Sequence, residues 1–425
     1  MNLHLHKSKI KNQKETIKIT GSKSESNRLL ILKALYPNID IENLSNSDDT
    51  KLLQRALQTS TSNSNSSSID IHHAGTAMRF LTAYFACQEH KEVVLTGSSR
   101  MKERPIKILV EALLSLGADI TYLENEGYPP LKIIGKKLSV SKVELPANVS
   151  SQYISALMLI APKLEHGLTI KLKGKITSVP YINMTLSLIK QLGIEADFSD
   201  HIISIIPKQK LDKTQHVIVE SDWSSASYWF SMIALSPVNT SIELFYYLEQ
   251  SIQGDSALVE IYKEFGVETI FSKTSMTLTK TKMISHKKAL EFDLTKTPDI
   301  AQTIAVSAFG LGMSCHLTGL HTLKIKETDR LLALKNELEK FGAQIEITEN
   351  SLLLHSSSSS SSSSSSISIE TYNDHRMAMS FAPLALKTSL VIKDAKVVSK
   401  SYPEFWDHLK KIGISFKKLS DNNIN

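Results

Sequence analysis

Apolar residues recur along this chain at steps of three and four, then alternate with polar ones, and the change of rhythm repeats. The clearest helical run is LLALKNELEKFGAQIEI. In it Leu331, Leu334, Leu338 and Phe341 share one face, and Gly342 offers the left-handed residue that ends a helix. The same phrase, a helix closed by glycine and followed by a short strand, returns in ALLSLGADI at Gly117, SLIKQLGIEA at Gly193, EIYKEFGVETI at Gly266 and HLKKIGISF at Gly413. From Gly117 to Gly413, with Gly342 in sequence, the steps are 76, 73, 76 and 71 residues. A weaker first copy, DDTKLLQRALQ from Asp48 to Gln58, lacks the glycine. The pattern predicts six units of roughly seventy residues.

Each unit also carries an earlier helix, beginning near Ser24, Ala74, Ser150, Asp222, Pro298 and Asn373. These are more apolar than their partner helices, so they are expected to lie buried in a helical layer. Strand-like pieces such as VVLTG, LTIKLKG, HVIVE and SLVIKDA stand between helices. The repeat therefore reads strand–helix–strand–helix–strand–strand. A chain of 425 residues is too long for one core. Six units divide three and three, with a break near Glu220. The expected domains are 21–220, and 221–425 joined by 1–20, whose opening residues are read as one strand pairing with the far half. Two serine tracts, Thr59 to Ser68 and Ser356 to Ser366, fall where a turn should connect strands, and they are read as loop expansions.

Composition narrows the function classes. Hydrophobic residues make up 41% and charged residues 22%, ordinary for a soluble globular protein. No apolar run approaches a membrane span, and the N-terminus lacks the apolar segment of a signal peptide. Cys87 and Cys315 lie far apart in stretches read as apolar helix, which fits buried thiols in a reducing, cytoplasmic setting. The net charge of +6 comes from scattered lysines with no basic patch interleaved with aromatics, so nucleic acid is not the expected partner. His4, His6, His72 and His73 lack carboxylates or cysteines at ligand spacing, so neither a metal nor a cofactor is expected.

Polar motifs gather at predicted helix starts. They are GSKSESNR (Lys23, Ser24, Arg28), AGTAMR (Gly75, Thr76, Arg79), RMKERP (Arg100, Lys102), SSQY (Ser150, Ser151, Gln152, Tyr153), and Ser178 with Tyr181. Further along come Asp299, the run KETDR at Lys326 to Arg330, NDHR (His375, Arg376), and Lys400. Singly, each has a structural explanation; Ser24 and Ser150 suit an N-cap, and Arg376 suits a local pair with Asp374. Jointly they place cations at helix ends that are already electropositive, KETDR being expected on the first turn of its helix. That placement calls for bound anions.

These motifs, in this order, resemble those of the 3-phosphoshikimate 1-carboxyvinyltransferase (EPSP synthase) family, from Gly21 to Met379 with Lys400 beyond. KETDR together with YNDHRMAM carries most of the specificity. The resemblance implies an α/β fold of two inside-out α/β barrel domains, each of three βαβαββ repeats, with helix N-termini at an interdomain cleft. It implies transfer of the enolpyruvyl group of phosphoenolpyruvate to the 5-hydroxyl of shikimate 3-phosphate, by a monomer without cofactor or membrane partner. Shikimate 3-phosphate would be held by Lys23, Ser24, Arg28, Ser150, Ser151, Gln152, Ser178, Tyr181, Asp299, Thr322 and Lys326. Phosphoenolpyruvate would be held by Lys23, Gly75, Arg100, Gln152, Arg330, His375, Arg376 and Lys400. Asp299, Glu327 and Lys23 are the catalytic candidates.

Three positions depart from the family pattern: His73 and Thr322 stand where asparagine is usual, and Val179 where lysine is frequent. The related UDP-N-acetylglucosamine enolpyruvyl transferases use a loop cysteine, which neither Cys87 nor Cys315 supplies. A non-catalytic phosphate-ligand binder would have no need of Asp299 and Glu327.

Overall fold

The computed structural model describes residues 1–11, 15–59, 66–147, 150–174, 176, 179–284, 289–356 and 366–419. Ser178 and most of both serine tracts lie outside the described residues. The chain forms two compact units, Gly21–Val219, and Glu220–Asn425 together with Met1–Thr20.

In the unit Gly21–Val219, the helices Lys23–Leu35, Gly75–Ala86 and Ser151–Ile160 pack on one another. Gly75–Ala86 and Ser151–Ile160 are apolar nearly all round because neighbours cover all sides, whereas Lys23–Leu35 also buries Glu25, Ser26, Asn27 and Arg28. Every residue of Gly75–Ala86 is buried except Thr76, and every residue of Ser151–Ile160 except Gln152. Such a helix shows the outside only its first turn. The more amphipathic helix Lys107–Ser115 buries Leu109, Val110, Ala112 and Leu113, and packs on Gly75–Ala86.

Two four-stranded sheets accompany these helices. In one, Ser66–Asp70 runs parallel to Glu92–Thr96, which pairs antiparallel with Leu131–Ile134 and that with Asp119–Tyr122. In the other, Lys142–Pro146 is parallel to Leu168–Lys173, followed by antiparallel Ile202–Ile205 and Ala196–Ser199. The parallel pair spans a helical crossover; the closing antiparallel pair is joined by residues 123–130 in the first sheet and by a two-residue turn, Asp200 and His201, in the second, giving the βαβαββ repeat. The first copy is reduced, since Ile39–Glu42 pairs in parallel with Gln215–Ile218 in a two-stranded sheet.

The unit containing Glu220–Asn425 repeats the plan. Its inner helices Trp223–Ala234, Ala301–Gly310 and His375–Phe381 pack on one another, and Ser224 is the one residue of Trp223–Ala234 that is not buried. Trp223, Trp229, Phe230, Tyr262 and Phe265 fill the core around them. The opening residues supply two strands rather than one. Glu15–Ile17 is parallel to Ser241–Phe245, and Asn2–Leu5 lies between Leu390–Ile392 and Phe416–Leu419, antiparallel to both.

Gly117, Gly193, Gly266, Gly342 and Gly413 all have positive φ, between 73° and 105°, as a left-handed helix terminus requires. Cys315 corrects the sequence reading: it is buried in the strand Cys315–Thr318, not in a helix. Burial pushes its thiol up to about 12 and that of Cys87 up to about 11, away from nucleophilic use.

Candidate active-site clusters

In the unit Gly21–Val219, the polar residues meet at the exposed first turns of the buried helices. Ser22, not Ser24, caps the first helix, accepting from the Glu25 backbone N–H. Lys23 follows at once, with Nζ 3.4 Å from Asp49 Oδ2, and His73 Nε2 lies 3.8 Å from the other oxygen of Asp49. Ser150 caps the third helix, and Gln152 Nε2 reaches 3.2 Å to Thr76 Oγ1 at the tip of the second. Lys23, His73, Thr76 and Gln152 are thereby tied into one neighbourhood.

Arg28 turns inward from that surface. Its Nε donates to Thr185 Oγ1 at 2.7 Å, and Nη2 to Ser155 Oγ at 3.0 Å and to the Tyr181 carbonyl at 3.4 Å. Nη1 donates to the Ser24 carbonyl at 2.8 Å. Hydroxyls and carbonyls surround it, and burial, only partly offset by Tyr181 and Glu25, holds its guanidinium down to about 10. Arg79 is similar: it donates to the carbonyls of Gly75 and Pro105 at 3.1 and 2.9 Å, and burial and Arg104 hold it at about 10.

Gly75 opens the second helix directly beneath Arg104. A Cβ there would lie 2.3 Å from Arg104 Nη1. The sequence reading missed Arg104, whose only cue was its place in RMKERP. Arg100, by contrast, projects outward and pairs with Glu103 at 2.7 Å, both side chains more than 60% exposed.

In the other unit, Asp299 is the meeting point. It sits on the short helical turn Pro298–Ile300 that leads into Ala301–Gly310, and only 9% of its surface is exposed. Lys326 Nζ lies 3.4 Å from Asp299 Oδ1, Arg330 Nη1 2.8 Å from the same oxygen, and Arg376 Nη2 3.5 Å from Oδ2. Arg330, itself almost wholly buried, also binds Asp374 Oδ2 through Nε at 2.6 Å and Glu327 Oε2 through Nη2 at 2.7 Å. Burial opposes the Arg330 charge, but Asp374, Glu327 and Asp299 more than offset it and hold its pKa above the ordinary value.

Two readings from sequence need correction. The run KETDR does not ride on the helix, which begins at Arg330. Asp329 is the N-cap, accepting from the Leu331 and Leu332 N–H groups at 3.1 Å each, and an N-cap has non-helical backbone by definition. Nor are these cations bare. Asp374 takes Arg330 rather than Arg376, and Lys326, Arg330 and Arg376 face Asp299, Glu327 and Asp374, an even balance of charge. An anion entering here must displace a carboxylate.

The remaining candidates complete this cluster. Asp374 caps the helix His375–Phe381 by accepting from the Arg376 N–H at 2.9 Å, and the buried His375 ring lies 3.8 Å from it. Lys400 Nζ donates to the Asn373 carbonyl at 2.6 Å. Tyr372 and Asn373 are both left-handed, with φ of 51° and 55°, a strained approach to the helix tip. Thr322 Oγ1 is shielded and has no hydrogen-bond partner among the described residues. Asp49, Ser224, Asp255 and Thr297, unremarked in the sequence, hold these groups in place. No group of three His, Cys, Asp or Glu suited to a metal occurs among the described residues, and no described helix is long and apolar enough to cross a membrane.

The architecture is that of solved enolpyruvyl transferases of the shikimate type. An EPSP synthase structure from Acinetobacter baumannii superposes with a TM-score of 0.79 at 20% identity, covering 98% of this chain and 99% of that one. Sequence carries the assignment further. A family model described as EPSP synthase (3-phosphoshikimate 1-carboxyvinyltransferase) matches residues 57–409. A 3-phosphoshikimate 1-carboxyvinyltransferase of Bacteroides fragilis (strain YCH46) is 44% identical over 410 residues, covering 95% of this chain and 96% of that protein. One of Histophilus somni (strain 2336) is 34% identical over 422 residues, covering 93% and 96%. The chain belongs to the EPSP synthase family.

Proposed function

We propose that this protein transfers the enolpyruvyl group of phosphoenolpyruvate to the 5-hydroxyl of shikimate 3-phosphate, releasing phosphate, as a step of aromatic amino-acid biosynthesis. The observation that carries this reading is Asp299, a buried carboxylate ringed by Lys326, Arg330 and Arg376 with Glu327 beside them. Membership of the family supplies the substrates.

Each substrate carries a carboxylate and a phosphate of about −1.5 to −2, so the pair brings roughly −5 to −6. Lys23, Ser24, Arg28, Ser150, Ser151, Gln152, Tyr181, Asp299, Thr322 and Lys326 would hold shikimate 3-phosphate. The Thr322 hydroxyl, without a hydrogen-bond partner among the described residues, suits a ring hydroxyl of shikimate. Lys23, Gly75, Arg100, Gln152, Arg330, His375, Arg376 and Lys400 would hold phosphoenolpyruvate, Gly75 by letting the ligand close to the backbone. Arg28 already serves four internal acceptors, so it acts mainly by fixing the floor under Ser24 and Tyr181.

The even charge balance around Asp299 suggests the order of events. Before substrate arrives Arg330 is paired with Glu327. When the phosphoenolpyruvate carboxylate takes Arg330, Glu327 is released and takes up a proton from solvent. Glu327 then delivers a proton to the methylene carbon as Asp299 takes one from the 5-hydroxyl. The new C–O bond forms at the adjacent carbon; Glu327 then takes a methyl proton back while Asp299 passes its proton to the departing phosphate, which restores the enol ether. The decisive assay incubates the purified protein with both substrates and measures phosphate release. Release with UDP-N-acetylglucosamine in place of shikimate 3-phosphate, and none with the latter, refutes the assignment.

A further inference from the structure

Asp255 lies outside every motif used above, yet it sits behind the two most important groups of the Asp299 cluster. It is 7% exposed, on the short turn Gly254–Ala257. Among the described residues no cation lies within ion-pair distance of it. A buried carboxyl without a cation is normally eliminated from a core unless other donors satisfy it. Here two hydroxyls do so. Thr297 donates to Oδ1 and Ser224 to Oδ2, both in short hydrogen bonds.

These two hydroxyls lead in different directions. Thr297 precedes the helical turn Pro298–Ile300 by one residue, so its anchor sets where Asp299 stands. Ser224 is the one unburied residue of Trp223–Ala234, and its oxygen accepts from Arg376 Nη2 at 3.3 Å. Arg376 in turn donates to the Asp299 carbonyl at 3.0 Å. Three segments distant in sequence are thus joined at one side chain.

We propose that Asp255 is a positioning residue for the enolpyruvyl transfer, aligning Asp299 through Thr297 and Arg376 through Ser224. The inference rests on the function given above and divides its site into two separately severable branches. Burial, and then the nearby charge of Asp299, hold the Asp255 carboxyl above its usual range, which makes it sensitive to the loss of either hydroxyl. An aliphatic residue of similar size would fill the space without providing either anchor.

The test is steady-state kinetics of phosphate release on the full-length chain, with melting temperature recorded for each variant. Ser224→Ala cuts only the Arg376 branch. It is expected to raise KM for phosphoenolpyruvate about tenfold, the equivalent of one hydrogen bond to a charged group, with kcat changed much less. Thr297→Val cuts only the Asp299 branch and is expected to lower kcat about tenfold with that KM nearly unchanged. Thr297→Ser, which keeps the hydroxyl, should restore kcat, and Asp255→Ala should show both defects. The proposal is overturned if Ser224→Ala and Thr297→Val move the same parameter, if Thr297→Ser is as impaired as Thr297→Val, or if both branches are silent. A wild-type protein that does not turn over the two substrates sinks the functional reading and this inference with it. Turnover by wild type with undivided variant defects sinks this inference alone.

Discussion

Replacing Gly75 by alanine adds one methyl group at the tip of a buried helix, and the structure says what that methyl meets. Its carbon would stand 2.3 Å from Arg104 Nη1 and 2.7 Å from Cζ and Nη2. Ordinary non-bonded contact is about 3.5 Å, so the guanidinium must retreat by about 1 Å. It is the end of a flexible side chain with no ion pair among the described residues, and Gly75 has no left-handed φ that would strain alanine. Alanine is also the better helix former by up to about 1 kcal/mol, so the melting temperature should stay within about 2 °C of wild type. Gly21→Ala is the contrasting control, since its methyl would lie 1.8 Å from the Asn43 carbonyl oxygen, a backbone atom that cannot swing aside. For Gly75→Ala the loss falls on the ligand. A backbone contact to a phosphate is worth about 1.5–3 kcal/mol, so phosphoenolpyruvate affinity should drop about 10- to 100-fold. Affinity for shikimate 3-phosphate should change by less than about threefold, within the scatter of an untouched site. Calorimetric titration of each substrate, together with KM from phosphate release, makes the measurement. Equal losses for both substrates, or a melting temperature lowered as much as in Gly21→Ala, refute the placement of phosphoenolpyruvate over Gly75.

Three other substitutions probe the same picture. Arg330→Met leaves Asp374, fully buried, and Asp299 without their main cation; chemical denaturation should report a loss of about 3–5 kcal/mol, well beyond that of a surface arginine. Asp299→Asn keeps the shape but cannot accept the 5-hydroxyl proton, so single-turnover rates should fall about 10²- to 10⁴-fold while shikimate 3-phosphate still binds in titration. Lys280, buried with its ammonium on the Phe265 carbonyl and Lys387 nearby, has its pKa lowered by burial to about 8. Between that value and the unfolded-state value the unfolded chain binds more protons, so this group makes stability rise with pH from about 8 to 10.5. Melting curves of Lys280→Met across that range should lose the rise; an unchanged slope contradicts it.

How much of this was readable in the sequence depends on how local the cause is. The glycines at 117, 193, 266, 342 and 413 were legible because a left-handed terminus is decided by one residue and its own helix. The buried helices were legible because they are more apolar than their partner helices. KETDR was misplaced by one turn through a local competition: Asp329, read as part of the charged run, acts instead as the cap that stops the helix short of it. Strand partners were not legible. Period-two alternation says that Leu3 and Leu5 face a core, not that the pair will lie between strands beginning at Leu390 and Phe416. Nor were the holding groups legible. Asp49, Asp255 and Ser224 look like ordinary solvated polar residues until the fold brings them beneath Lys23, Asp299 and Arg376.

That last failure bears on how the site works. Sequence showed cations at electropositive helix tips and implied unsatisfied charge waiting for an anion. In the folded chain Lys23 leans on Asp49, and the arginines around Asp299 are held by carboxylates. A bare cluster of Arg330, Arg376 and Lys326 would repel itself and destabilise the fold before any ligand arrived. Internal carboxylates remove that repulsion while leaving the cations in position. Of the three, Asp374 is fully buried and Asp299 nearly so, whereas the Glu327 side chain is 31% exposed and can be hydrated once displaced. Glu327 is therefore the carboxylate partner of Arg330 that an incoming anion displaces most cheaply.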